Sequence, residues 1–158
     1  MNIRLFIALG LIAGPVWAAE DTPEELRAAC FEMSAMMGQL APCAGEAAQV
    51  CLEAKTGSAN KGASAAVMAE CFAPEAEWWD QKATAEYERV LADFQKMNAA
   101  DQSEAVKAFH AAWLTYRDAK CDVAIAGFGL GAGSNLPVII CRMNESAEHA
   151  VYLSVRGK

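Results

Sequence analysis

The sequence contains few positively charged residues, and this limits the kinds of partner that it can bind. The 158 residues carry 13 lysines and arginines against 20 aspartates and glutamates, for a formal net charge of −7. An acidic chain without a basic stripe is a poor candidate for binding nucleic acid or an anionic membrane. We therefore predict neither partner, and expect a protein of this charge to attract a cationic one.

The sequence also lacks the common motifs of metal centres and hydrolases. It contains no CxxC pair, and His110 and His149 are its only histidines, so a structural zinc site is not expected. It contains no GxSxG or HExxH motif, and no free thiol remains if the six cysteines form disulfides. We predict no catalytic residue, no metal and no cofactor, and we interpret both histidines as structural.

The apolar run at the N-terminus is too short for a permanent membrane anchor. Residues 1–18 combine Arg4, the run Leu5–Ala13, a Gly14-Pro15 break and a small residue at Ala18. This arrangement is typical of a secretory signal peptide. We predict a signal peptide over residues 1–18, a single domain over residues 19–158, and a periplasmic or secreted location without stable membrane insertion.

An even number of cysteines in an exported chain indicates disulfide bonds, because the compartment outside the cytoplasm is oxidising. All six lie in the predicted domain, at Cys30, Cys43, Cys51, Cys71, Cys121 and Cys141. Cys121 and Cys141 bracket a glycine-rich segment and are distant in sequence from the other four, so we pair them. Closing a loop of this length stabilises a fold by on the order of 3 kcal/mol in the loop-entropy model.

The pairing of the first four cysteines stays open between two alternatives. If residues 43–51 are helical, Cys43 and Cys51 are about 12 Å apart along the helix axis. That separation exceeds the roughly 7 Å between Cα atoms that a disulfide tolerates. The alternatives are Cys30–Cys43 with Cys51–Cys71, or Cys30–Cys51 with Cys43–Cys71, and we favour the first.

Composition favours helix throughout the predicted domain, where alanine, glutamate, glutamine, methionine and leucine dominate. Residues 22–25 supply the cap, the proline and the acidic first turn of a helix start, and Ala41-Pro42 ends that helix near Gln39. Further helices are predicted over about 45–55, through a long segment ending near Met97, over 102–121, and after a cap at Ser146. The predicted fold class is all-α, a small disulfide-stapled helical bundle with a Gly-rich loop between the last two helices.

Apolar residues on the two longest predicted helices recur at three- and four-residue steps, so they form matching stripes. Two such helices joined by a short break are expected to pack antiparallel. Arg117 follows Trp113 by four residues, which allows a cation–π contact, and Asp80 is placed to accept Arg117 in a bidentate pair. We interpret this seam as structural; its residues are Trp79, Asp80, Tyr87, Trp113, Tyr116 and Arg117.

The segment GFGLGAGS, residues 127–134, has too much glycine to continue a helix. It also lacks the preceding strand and the lysine of a phosphate-binding loop. Apolar residues on a loop closed by a disulfide are typical of a preorganised protein-binding segment. The candidate partner-binding residues are Phe128, Leu130, Asn135 and Leu136.

Three methionines, Met33, Met36 and Met37, fall on one face of the first predicted helix. A group of thioethers in an exported protein is able to bind copper. Methionines at this spacing more often fill a core, so we predict a packing role for these three.

Several segments resemble those of the lysozyme inhibitor LprI-like family, a group of small exported bacterial domains. They are CAGEAAQVC (43–51), EWWDQKATAEY (77–87), AWLTYRDAKC (112–121) and the glycine loop before Cys141, and the resemblance covers roughly residues 43–153. It implies a protein that inhibits lysozyme by direct contact. The acidic charge of this chain suits a cationic partner such as lysozyme.

We therefore predict an exported envelope protein that acts by binding, in the manner of a lysozyme inhibitor, and that is not an enzyme. The alternative is a periplasmic module that binds a small ligand or a metal in a pocket between helices. A cell-wall enzyme ranks last, because no constellation of residues in the sequence supports it.

Overall fold

The computed structural model describes residues 21–38, 41–57, 62–126 and 135–156. These residues form five helices and no strand, so the predicted all-α class is confirmed; the helices are α1 (Pro23–Met37), α2 (Glu46–Thr56), α3 (Ala65–Lys96), α4 (Ala100–Ala126) and α5 (Leu136–Ser154). Within the described ranges, no helix is both long and apolar enough to cross a membrane. The predicted signal peptide and the glycine loop 127–134 lie outside these ranges.

Helix α1 begins where its sequence predicts and ends slightly earlier. The Thr22 hydroxyl accepts a hydrogen bond from the Glu25 amide, and the Glu25 carboxylate accepts one from the Thr22 amide at 2.7 Å, which together form a capping box. The helix stops at Met37 because Gly38 adopts a left-handed conformation, with φ of 62°.

Helices α3 and α4 run antiparallel, as predicted, on either side of the short turn at residues 97–99. Two pairs of contacts establish the direction: Tyr87 stacks on His110, and Asp80 pairs with Arg117. Helix α4 begins at Ala100 and continues to Ala126, five residues beyond the predicted end at Cys121.

The predicted start of the last helix at Ser146 is wrong. Helix α5 begins ten residues earlier, at Leu136, and Pro137 lies in its first turn, where a missing amide hydrogen costs nothing. Ser146 is instead a fully buried interior residue whose hydroxyl donates to Asp80 Oδ1 at 3.1 Å. The presence of serine at position 146 is therefore explained by a tertiary hydrogen bond and not by the preference of serine for helix caps.

The hydrophobic core lies mainly between α3 and α5, with α1 and α2 closing one side. Trp79 is completely buried at its centre, next to the small side chains of Ala83 and Ala150, which are also completely buried. The buried core cluster comprises Cys30, Cys43, Ala48, Leu52, Cys71, Phe72, Trp79, Ala83, Met143, Ala147 and Ala150.

Three disulfides join consecutive segments of the chain. The bonds are Cys30–Cys43, Cys51–Cys71 and Cys121–Cys141, with Cα atoms 5.7, 5.6 and 5.5 Å apart. The favoured one of the two sequence-based alternatives is thus confirmed. No cysteine among the described residues is free.

A carboxylate of α3 caps the N-terminus of α2. Glu75 is only 2% exposed, and its two oxygens accept the amides of Gly45 at 2.6 Å and Ala48 at 2.7 Å. Gly45, the N-cap residue, has φ of 104°, a conformation that suits glycine, and it provides no side-chain cap. The acidic side chain also lies at the positive end of the α2 dipole, so one buried residue fixes α2 against α3.

The predicted packing role of the α1 methionines is wrong. Met33 is 43% exposed, Met36 is 82% exposed and Met37 is 47% exposed. The buried positions on this helix are Cys30 and Ser34, so the methionine face of α1 points to solvent rather than to the core.

Replacing Glu75 with alanine should lower the free energy of unfolding by about 3 kcal/mol, because two amides at the buried end of α2 lose a charged acceptor. Chemical denaturation of the oxidised protein measures this change. Glu77→Ala, two residues away on the exposed face of α3, is the matched control and should stay within about 0.5 kcal/mol of the parent. A loss below about 1 kcal/mol for Glu75→Ala would show that the cap is dispensable.

Candidate functional site

The predicted partner-binding loop begins and ends on fixed points of the bundle. Phe128 and Leu130 lie outside the described residues, whereas Asn135 is exposed directly before α5 and Leu136 packs, partly buried, against the core. The Cys121–Cys141 bond joins α4 to α5 close to both loop ends, and Cys121 is fully buried. Leu136 is therefore better placed to anchor the end of the loop than to contact a partner.

Arg117 is the central residue of a charged network on α4. Its side chain is 9% exposed, and its guanidinium lies 4.9 Å from the centre of the Trp113 ring. One nitrogen, Nη1, donates to Asp80, while Nε and Nη2 contact Asp118 Oδ1 at 3.1 and 3.0 Å. The cation–π contact is observed, but the predicted bidentate pair with Asp80 is wrong, because Arg117 divides its donors between two carboxylates.

The network continues onto α5, so three helices share it. Arg142 lies 3.6 Å from Asp118 Oδ1, and Lys120 donates to Glu145 at 2.6 Å. The hydrogen bond with Glu145 raises the pKa of Lys120. These ion pairs and the Cys121–Cys141 disulfide tie α4 to α5.

A shallow cleft of about 250 Å³ opens over this network, lined by Ala73, Ala76, Glu77, Asp80, Arg117, Ile139 and Arg142. The side chains of Asp80 and Arg142 are about half exposed, at 53% and 47%. Asp80 is already ion-paired with the buried Arg117. The cleft is suited to polar contacts with a partner.

The two histidines, which the sequence presented as isolated, contact each other. His110 Nδ1 and His149 Nε2 are 3.1 Å apart, although 39 positions separate the residues along the chain. Each ring also stacks on an aromatic neighbour: His110 on Tyr87 at 4.0 Å between centroids, and His149 on Trp113 at 3.8 Å. Nothing in the local sequence signals this meeting of α4 and α5.

Burial keeps both histidines neutral. It lowers the pKa of His110, and it lowers the pKa of His149 to about 3, with further contributions from the neighbouring His110 and the cation of Arg117. The same cation opposes a bound metal ion, and no group of three or more His, Cys, Asp or Glu side chains in the described residues could hold one. The pair forms a direct side-chain contact between α4 and α5, and the structural role of both residues stays a prediction.

The other predicted seam residues separate into buried and exposed members. Trp79 is fully buried and Tyr87 is partly buried against His110. Tyr116 is 55% exposed, and the ammonium group of Lys120 lies 5.5 Å from its ring centre. The structure therefore places Tyr116 on the outer surface of α4, away from the seam.

One comparison with known proteins finds a relationship. The family model described as lysozyme inhibitor LprI matches residues 51–153. The match begins within α2 and includes α3, α4 and most of α5, together with the disulfides Cys51–Cys71 and Cys121–Cys141. Helix α1 and the Cys30–Cys43 bond precede it. No curated protein and no solved structure matches the chain.

The histidine pair predicts that acid destabilises the fold. The pKa of His149 is lowered to about 3, while an unfolded histidine has a pKa near 6.5. Between these values the unfolded chain binds a proton that the folded chain does not, so the free energy of unfolding falls as the pH falls. Between pH 6.5 and 5.5 this loss should be about 1 kcal/mol for His149 alone, measured by denaturant unfolding of the oxidised protein.

The matched variant for this measurement is His149→Gln, which keeps a polar side chain but does not titrate. Its stability should change less with pH than that of the parent over the same interval, which lies above the usual range of carboxyl pKa values. Equal slopes for the two proteins would contradict the assignment of the pH dependence to His149.

Proposed function

Because this chain belongs to the lysozyme inhibitor LprI family, we propose that it acts by binding, and that it inhibits a lysozyme-like enzyme by direct contact. Membership of the family supports this class of activity.

The observation that carries the proposal is the fixed anchoring of the loop 127–134. A covalent bond, Cys121–Cys141, closes the segment, and Arg117 ties α4 to α3 four residues before Cys121. A loop whose ends are held in this way loses less conformational entropy on binding, which favours affinity. Phe128 and Leu130 supply the apolar side chains that would enter a cleft of the partner.

Charge supports a cationic partner. The chain carries a net charge of −7, with 20 acidic residues against 13 basic ones. Complementary charge speeds the encounter of two proteins, whereas specificity depends on the shape and packing of the contact. In this proposal the acidic surface brings the lysozyme close, and the loop makes the specific contact.

The proposed place of action is the periplasm or the extracellular space. The predicted signal peptide over residues 1–18 would direct export, and three disulfides suit an oxidising compartment. Lysozymes attack the cell wall, so an inhibitor acts where they reach it.

A second candidate function, binding of a small polar ligand, is favoured by the cleft over Arg117 and Asp80. Its volume of about 250 Å³ lies below the roughly 300–1,000 Å³ of most ligand pockets. We therefore rank it behind inhibition. A small molecule that co-purifies with the parent protein, detected by its mass, but does not co-purify with Arg142→Ala would place ligand binding ahead of inhibition.

Loop variants test the leading proposal. Phe128→Ser combined with Leu130→Ser should weaken inhibition by about 2 kcal/mol, or roughly thirtyfold, because apolar anchors dominate the energy of such contacts. The assay follows the turbidity of a peptidoglycan suspension treated with lysozymes of several structural classes, with and without the mature protein.

The matched control is Met97→Ser, a lone methionine that is 58% exposed at the α3–α4 turn, at the opposite end of α4 from the loop. It should inhibit as the parent does. If the parent slows no lysozyme at micromolar concentration, inhibition is rejected. If the loop variant and the control inhibit equally, the contact surface lies elsewhere on the domain.

A further inference from the structure

Three methionines at the end of α1 are exposed, so packing in the core does not account for them. Met33, Met36 and Met37 are between 43% and 82% exposed, whereas Met143 in the core is only 2% exposed. Exposing three large apolar side chains within five residues is unfavourable unless something contacts them. The residues lie in α1, outside the part of the chain that matches the family model.

The helix places the three thioethers side by side. Positions i, i+3 and i+4 are neighbours on one helix face, and Met33, Met36 and Met37 occupy that pattern. Each methionine side chain is unbranched and has three rotatable bonds. Their sulfur atoms can therefore converge on one ion while the helix backbone stays in place.

The electrostatics at this end of α1 favour a cation. The last turn of a helix carries partial negative charge on its free carbonyl groups, and the last turn of α1 contains no basic residue to neutralise it. The exposed carboxylate of Glu32 precedes Met33, and Glu32 and Met36 line the same surface cleft. Arg89 also lines this cleft, but its guanidinium is already paired with Glu86 and Asp93.

The chemistry of the ligands selects the kind of ion. Thioethers are soft, uncharged donors that suit Cu(I), whereas Zn²⁺ is bound mainly by thiolate, imidazole and carboxylate groups. The described cysteines are all in disulfides and supply no thiolate. Methionine sulfur, in contrast, remains available in an oxidising compartment without deprotonation.

We propose that Met33, Met36 and Met37 form a site for one Cu(I) ion on the outer face of α1. The ion is held through three thioether sulfurs. The site involves binding only, with no change in the oxidation state of the metal or of the protein, and it is independent of the loop proposed to contact lysozyme.

Competition with a coloured Cu(I) chelator tests the site. The oxidised mature protein is titrated without oxygen into a Cu(I)–bicinchoninate solution, and the loss of the chelate absorbance reports the copper that the protein takes up. The parent should withdraw one Cu(I) per chain. The triple variant Met33→Leu, Met36→Leu and Met37→Leu keeps the apolar volume but lacks sulfur, and it should withdraw none.

Met97→Leu is the matched control, because Met97 is an exposed methionine with no second thioether near it in the sequence. It should bind copper as the parent does. Silver(I), a redox-inert substitute, should shift the ε-methyl NMR signals of the three α1 methionines and leave that of Met143 unchanged. The proposal is overturned if the parent withdraws no copper, or if the triple-leucine variant, folded by circular dichroism, binds as the parent does.

Discussion

The attachment of α4 depends on one buried cation. Among the α4 side chains that the structure describes, only Ser103, Arg117 and Cys121 are buried, so the helix has little apolar surface with which to hold the bundle. A buried guanidinium needs charged partners to offset its loss of hydration. Arg117 finds them in Asp80 of α3 and in the adjacent Asp118, and the ring of Trp113 covers its face. The end of α4 from which the glycine loop departs is thereby fixed by polar contacts and one covalent bond.

The bundle thus combines two kinds of interface. Helices α3 and α5 meet through a conventional apolar core around Trp79, and Glu75 adds a buried carboxylate that orients α2. Helix α4 is held instead by stacked rings, ion pairs and the contact between His110 and His149. Polar interfaces of this kind fix the geometry of a helix through the direction of hydrogen bonds and the pairing of charges rather than through a large buried area.

The parts of the fold that local rules govern were predictable. The cap at Thr22 and the contact of Arg117 with Trp113 follow from local spacing. Helix rise excluded a bond between Cys43 and Cys51 and so reduced the pairings of the first four cysteines to two. Contacts between distant residues left no local signal. Glu75 reaches an amide 30 positions away, and Ser146 looks like a cap although it is a buried donor. The α1 methionines match a core pattern, yet the neighbouring helices cover the opposite face of α1, so periodicity alone could not assign their exposure.

The order of the disulfides bears on how such a domain matures. The three pairs follow one another along the chain, with separations of 13, 20 and 20 residues, and no pair encloses or crosses another. A polypeptide that emerges from a translocation channel amino end first presents each cysteine and its correct partner before the next pair appears. If the chain is exported as proposed, oxidation in order of emergence would yield the native connectivity without rearrangement of crossed pairs.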